Sequence, residues 1–170
     1  MTNEQTIDSL DKEILTLLQS DGRMSNVDMA RKVGRAPSAV LERVRKLERG
    51  GYIKGFEAIL DPKALGFGLT AFTQVQVSEA VGSFDTGQQL AGVSGVLEVH
   101  YTAGEDSYLI KVRTQDTDSL QQILAEIGAI DGVRDTKTTI VLTTVQESRT
   151  IPLSHDDTAE DKCPNKETSS

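Results

Sequence analysis

Cysteine, histidine and long apolar runs are all scarce in this chain. Cys163 is the one cysteine among 170 residues, which excludes an internal disulfide framework and fits a reducing compartment. It stands in a polar C-terminal stretch where neither a structural nor a catalytic role is expected. Of the two histidines, His100 falls in a predicted strand and reads as a packed or surface residue, while His155 lies in the tail. No zinc, phosphate-loop or nucleophile–base signature is present, so no catalytic or metal site is expected. No uninterrupted apolar run approaches the ~20 residues a bilayer span requires. The opening MTNEQTIDSLDKE is polar and acidic, without the basic-then-apolar order of a signal peptide. A cytoplasmic protein is expected.

The chain also lacks positive charge overall, with a formal net charge of −8. The deficit is uneven. Residues 1–55 sum to +2 and residues 56–170 to −10. Within the first part, residues 31–54 hold eight Lys/Arg (Arg31, Lys32, Arg35, Arg43, Arg45, Lys46, Arg49, Lys54) against Glu42 and Glu48, a local +6. Such asymmetry suggests that one half meets a polyanion and the other does not.

Periodicity divides the chain at the same place. DSLDKEILTLLQ (8–19) puts Leu10, Ile14, Leu17 and Leu18 on one helical face, with Asp8 as cap and Ser20-Asp21-Gly22 as stop. A second helix opens at Ser25, where Ser25-x-x-Asp28 resembles a capping box. Its apolar side is Val27, Ala30 and Val33, and Gly34 ends it. A third helix opens at Pro37, suited to the first helical position, and runs to Arg49, with Gly50-Gly51 supplying a left-handed cap. Tyr52 to Leu60 reads as extended, Gly55 as a hairpin turn, and Asp61-Pro62 as a break. Three helices with a tight second turn, then a strand pair, make a winged helix-turn-helix.

After the break the period becomes two. Leu69 to Val77 alternates, residues 84–91 predict a short helix weakened by Gly87, and Val96–Tyr101 and Tyr108–Arg113 are strands around a turn with Gly104. Asp116–Ile127 is helical, and Val133–Val145 is a Thr- and Val-rich strand. The order βαββαβ is ferredoxin-like, so the fold class expected is α+β. The predicted boundaries are a winged helix-turn-helix domain at 1–55, a connection at 56–66, a ferredoxin-like domain at 67–147, and a disordered tail at 148–170.

On the third helix, Val40, Val44 and Leu47 occupy a narrow arc at about 100° per residue, with Leu41 at its edge. The remaining face carries Ser38, Ala39, Glu42, Arg43, Arg45, Lys46 and Arg49, and Lys54 follows in the wing. Small residues at a helix start allow approach to base edges in the major groove, and flanking cations neutralise phosphates. A solvated basic face is the bland alternative. The position on the last helix of a helix-turn-helix favours a recognition helix.

These residues resemble the Lrp/AsnC (feast/famine) regulators. The elements shared are Leu10-Asp11 with Ile14-Leu15-Leu18, Asp21-Gly22-Arg23, and Leu41-x-Arg43-Val44-x-x-Leu47-Glu48-x-x-Gly51-x-Ile53. AGEDSYLIKVRTQDTDSL and GVRDTKTTIVLTT are similar to that family's sensing domain, and the likeness covers residues 7–149. Two departures stand out. Ala36 occupies the place of a capping Ser before Pro37, a loss of about 1 kcal/mol. Ser107 stands where members often have Asp before the Tyr, with Glu105 and Asp106 just upstream.

The resemblance implies a sequence-specific transcriptional regulator of double-stranded DNA, without cofactor, whose operator binding and oligomeric state respond to an amino-acid effector. It implies homodimers that pair sensor sheets and assemble further into octamers. It places the effector at the turn Ala103, Gly104, Glu105, Asp106 and Ser107. Turn amides there would meet a carboxylate and Glu105 or Asp106 an ammonium, with Thr136 and Thr138 completing the pocket. A hairpin turn needs Gly and Asp in any case. Two other functions remain open. Some Lrp/AsnC-like proteins are tetrapyrrole (sirohaem) decarboxylases, although His100 alone supplies imidazole in the folded region here. A winged helix can also hold a protein partner.

Overall fold

The computed structural model describes residues 7–80, 83–104 and 107–153. These form two compact units, one of the described residues up to Ala58 together with those from Ser148, the other running from Ile59 to Glu147.

The first unit is built on α1 (Ser9–Ser20), α2 (Asn26–Val33) and α3 (Pro37–Arg49). α1 starts at a full capping box. Asp11 N–H donates to Asp8 Oδ1 at 2.8 Å, and Asp8 N–H donates to Asp11 Oδ2 at 3.2 Å, so two otherwise orphaned donors are satisfied. At α2, Ser25 Oγ accepts from Asp28 N–H at 3.1 Å. The reciprocal half expected of Asp28 is absent, because its carboxylate takes the Ser25 hydroxyl proton at 2.6 Å and Arg31 at 2.9 Å instead. The expected apolar side of α2 is also corrected. Val27 is 54% exposed and Met29 is buried with Ala30. Val27 stands two residues from Met29, about 200° around the helix, and cannot share its face. The left-handed residue after α3 is Gly51, with φ 75°, rather than both glycines; Gly50 remains right-handed. Ile14, Met29, Ala30, Val40, Val44 and Leu47 make the core of this unit, and burial of the side chains larger than Ala30 is worth roughly 1.5–3 kcal/mol apiece.

The expected wing does not form as a ladder. Among the described residues no strand lies between α3 and Leu69. Tyr52 and Ile53 amides fold back onto the Leu47 carbonyl at 3.0 and 3.3 Å, and Gly55 turns no hairpin. Pro62, just past the expected second arm, has no N–H with which to extend a ladder, and an isolated two-stranded hairpin is marginal in water.

The second unit comprises β1 (Leu69–Val77), α4 (Asp85–Gly92), β2 (Val96–Tyr101), β3 (Tyr108–Thr114), α5 (Thr117–Gly128) and β4 (Val133–Val141). The four strands form one antiparallel sheet in the order β2-β3-β1-β4, the ferredoxin-like arrangement. Alternation selects one face: Ala71, Thr73 and Val75 of β1 and Tyr108, Ile110 and Val112 of β3 are buried, and join Leu90 of α4 with Leu120 and Ile127 of α5 in the core or beside it. Thr73 is a polar side chain inside that layer. Its hydroxyl pairs with the Thr138 hydroxyl, its cross-strand partner, at 2.9 Å, which removes the cost of burying it unpaired. β4 ends at Val141, not Val145, and residues 142–147 leave the sheet.

The tail expected to be unstructured from 148 is anchored at its start. Gln19 holds both backbone groups of Ile151, accepting from its N–H at 2.7 Å and donating to its carbonyl at 3.0 Å, and Arg149 pairs with Glu57. Cys163 and His155 lie outside the described residues.

Candidate nucleic-acid interface and effector turn

α3 is oriented by its apolar stripe. With Val40, Val44 and Leu47 buried, Ser38, Ala39, Glu42, Arg45 and Arg49 come out exposed on the opposite face, and Lys46 is half-buried beside them. Pro37 occupies the first turn, and Ala36 makes no side-chain capping bond, so the first amides of α3 are not capped by that residue. The exposed face therefore offers small residues at the start of α3, where the Ala39 and Val40 amides donate to the Ala36 carbonyl at 3.0 and 3.1 Å, and guanidinium groups further along. Lys54, five residues past Arg49, is exposed on the same unit. This is a surface that can lie in a major groove with cations over phosphates.

Arg43 lies at the edge of that surface. Three residues from Val40, it stands about 60° from the buried stripe rather than opposite it. Its Nη1 donates to Asp8 and, at 3.0 Å, to Oδ1 of Asp11. Asp11 is 1% exposed. The Arg43 bond holds the Asp8 carboxyl below its ordinary value, and the Asp8 bond in turn raises Arg43. The helical wheel groups Arg43 with the groove-facing cations; the structure pairs it with Asp8 and Asp11 and leaves its side chain 32% exposed.

At the β2–β3 turn, Thr102 N–H donates to the Ser107 carbonyl at 2.9 Å and closes the hairpin. Ala103 and Gly104 are exposed and Ser107 is half-buried. Glu105 and Asp106, expected to meet an ammonium group, lie outside the described residues. The two threonines are not brought to this turn within one chain. Thr136 is level with Tyr108, but only through Val75 of the intervening β1, two ladders or about 9.6 Å away. The Thr138 hydroxyl is committed to Thr73.

What does flank the turn is a network that sequence reasoning missed. Tyr108, the first residue of β3, donates its hydroxyl to Glu79 Oε1 at 2.7 Å. Glu79 Oε2 accepts from the Thr86 amide at 3.2 Å and the Thr86 hydroxyl at 2.9 Å. The carboxylate thus supplies the cap that Phe84 does not give α4. Hydrogen bonding, above all from Tyr108, lowers the Glu79 pKa, while burial and then Glu79 push the Tyr108 phenol up to about 12. Tyr101 meets Tyr108 edge-on at 5.3 Å, and Phe84 meets Tyr101 at 5.4 Å. Glu79 sits between elements, where no periodic signal marks it.

The other sheet face carries a second unanticipated cluster. Lys111, 8% exposed, lies between Glu98 at 3.1 Å and Glu147, and Arg113 holds Glu147 at 3.1 Å. The bonds from Lys111 and Arg113 lower the Glu147 pKa. A cavity of 440 Å³ on this face is lined by Thr70, Phe72, Lys111, Val145 and Glu147, among others. His100 meets Glu98 at 3.2 Å on the surface. Among the described residues no three His, Cys, Asp or Glu side chains are grouped to hold a metal ion, and no helix is long and apolar enough to cross a membrane.

Comparison with known proteins agrees with both halves. Residues 7–54 match the family model for a winged helix-turn-helix DNA-binding domain, and residues 70–151 that for the Lrp/AsnC ligand-binding domain. The chain is 38% identical over 147 residues to the HTH-type transcriptional regulator FL11 of Pyrococcus horikoshii, a match spanning 86% of this chain and 97% of the relative. It is 35% identical over 152 residues to the leucine-responsive regulatory protein of Escherichia coli, spanning 86% and 92%. Among solved structures it is similar to a transcriptional regulator of Neisseria meningitidis in complex with L-methionine, at 29% identity and TM-score 0.79 over 88% of this chain and 99% of that one. It is also similar to a feast or famine regulatory protein of M. tuberculosis complexed with L-methionine, at 32% identity and TM-score 0.80 over 86% and 99%. These relatives are named as regulators rather than enzymes, which leaves the decarboxylase alternative without support. With both halves matched in order, and curated relatives spanned almost end to end, the chain belongs to the Lrp/AsnC family of DNA-binding transcriptional regulators.

Proposed function

We propose that the protein binds operator DNA as a homodimer through α3, and that an amino acid bound near the β2–β3 turn changes operator affinity and further assembly up to an octamer. In this reading Ser38, Ala39 and Glu42 approach base edges, Arg45, Lys46, Arg49 and Lys54 neutralise phosphates, and Arg43 serves the protein's own packing. Two recognition helices set about one DNA turn, ~34 Å, apart would read a pseudo-palindrome. The observation that carries the reading is the exposed polar and basic face of α3 opposite a fully buried stripe, on a chain whose net charge is −8. The relatives crystallised with L-methionine support an amino acid as the effector class.

Thermal-shift screening against the twenty amino acids tests the effector half, because a ligand that binds only the folded form raises Tm. At least one amino acid is expected to raise it, and the rise, measured against each protein's own unliganded Tm, should vanish in Gly104→Val, whose φ of 157° strains any side chain and lowers the unliganded Tm itself. No response to any amino acid removes the sensing reading. Titrating duplex binding against salt tests the other half: neutralising Z phosphates gives a log–log slope of about −0.9Z. Salt-independent binding without sequence preference removes the operator reading.

A further inference from the structure

We infer that Arg43 is a positioning residue for DNA reading: it fastens the middle of the recognition helix to the capping box of α1 and sets the rotation at which α3 presents its outer face. The inference rests on the reading of α3 as the groove-facing helix. One nitrogen, Nη1, bridges two carboxylates that are themselves joined, because Asp8 and Asp11 exchange backbone-to-side-chain bonds at 2.8 and 3.2 Å. Asp11 is almost wholly buried and Asp8 half-exposed. The contact joins residues 32 and 35 apart in sequence, so it is tertiary.

The apolar stripe cannot set rotation alone. Val40, Val44 and Leu47 hold α3 against α1 and α2, but hydrophobic burial is non-directional and tolerates small rotations about the helix axis. Arg43, on one flank of that stripe, adds a directional, charge-assisted contact. The lever is appreciable. Side-chain tips lie about 5–6 Å from the axis, so a rotation of about 20° displaces them by about 2 Å, enough to break a hydrogen bond to a base edge. Ser38 and Glu42, on the far side, move as far as Arg43 does.

Three roles are distinguished by measuring affinity for a selected operator and for a scrambled duplex across a salt series, with the full-length protein below the Tm of each variant. The variants are Arg43→Gln, which removes the charge but keeps a donor, Asp8→Asn, which weakens the clamp from α1, and Arg49→Ala as a phosphate comparator. A positioning role predicts that Arg43→Gln and Asp8→Asn each lower the operator-to-scrambled affinity ratio about tenfold, the size of one lost base contact. It also predicts salt slopes like that of the unmodified protein, whereas Arg49→Ala should reduce the slope by about 0.9. If Arg43→Gln reduces the slope by a similar amount, Arg43 is a phosphate ligand and the inference falls. If the ratio is unmoved in Asp8→Asn, the clamp serves stability only and the inference falls equally. Asp8→Asn decides the matter even where Arg43→Gln does not fold, since loss of a surface anion by itself would strengthen binding to both duplexes alike. Failure of the unmodified protein to prefer its operator would overturn the DNA reading itself, a separate outcome from either.

Discussion

The Tyr108 hydroxyl donates to Glu79 Oε1 at 2.7 Å, joining the first residue of β3 to the carboxylate that caps α4. A hydrogen bond to a half-exposed charged acceptor contributes about 1–2 kcal/mol, so Tyr108→Phe should lower stability by about that amount in urea titration. Its pH signature follows from the Glu79 shift. The folded pKa is depressed, chiefly by the Tyr108 bond, so the contribution is fully present above the ordinary glutamate value and is lost as pH falls through the lowered folded value. Tyr108→Phe should flatten that acid limb. The phenol acts in the opposite direction. Its folded pKa is raised to about 12, so its contribution is complete below about 10 and disappears as pH climbs through the raised value. Ultraviolet titration of tyrosinate should show one late-titrating tyrosine that Tyr108→Phe abolishes; a titration with no late component contradicts the bond.

Gly87 permits the same contact. A Cβ added there would stand 2.8 Å from Cε1 of Tyr108, inside any tolerable contact. Helix propensity alone would make Gly87→Ala stabilising by about 1 kcal/mol. Overpacking against a buried ring costs about 1–3 kcal/mol, and the clash should win. The expected result is a lower urea midpoint at unchanged m-value. A raised midpoint would mean the ring moves aside freely.

Much of this architecture is legible locally, and what is not has a common cause. α1, α2 and α5 announce themselves through caps within three residues of their first turn, Asp8, Ser25 and Asp116, and through apolar spacing. The βαββαβ order follows from the change of period. Gly87 reads as a helix-weakening residue only because Tyr108, its neighbour in space, belongs to another element. The cationic character of α3 is visible in composition, yet the partners of Arg43 sit 32 and 35 residues away. The Thr138 hydroxyl looks available for a ligand until Thr73, 65 residues off, is placed opposite it. The strand pair expected over Tyr52 to Leu60 is absent for the same reason, since a strand needs a partner that its own sequence does not specify. At the β2–β3 turn the backbone closure is foreseeable, whereas the Glu79 cap is not, because nothing periodic marks a carboxylate between elements.

Ala36 gives α3 an N-cap without a side-chain acceptor, although its φ of −70° and ψ of 142° already suit a capping residue. Ala36→Ser should therefore add a bond to an amide of the first turn and stabilise the unit by about 1 kcal/mol. For a domain of this size that corresponds to a Tm rise of about 4–8 °C, read by differential scanning calorimetry. A fall in Tm would mean that the first-turn amides are satisfied in another way.

The Gln19 side chain acts as a one-residue strand for Ile151, engaging its N–H and carbonyl together. Both bonds are exposed and exchange with water, so Gln19→Ala should cost less than about 1 kcal/mol of global stability. Local opening is where the effect should appear. Arg149 depends otherwise on one exposed ion pair with Glu57, and exposed pairs are worth little. Releasing Ile151 should therefore raise the population of open segment and the rate of tryptic cleavage after Arg149 several-fold, with Tm almost unmoved. High salt, which screens the Glu57 pair, should accelerate cleavage further in the variant than in the unmodified chain. Equal cleavage rates in both proteins would show that the segment is held by something other than Gln19.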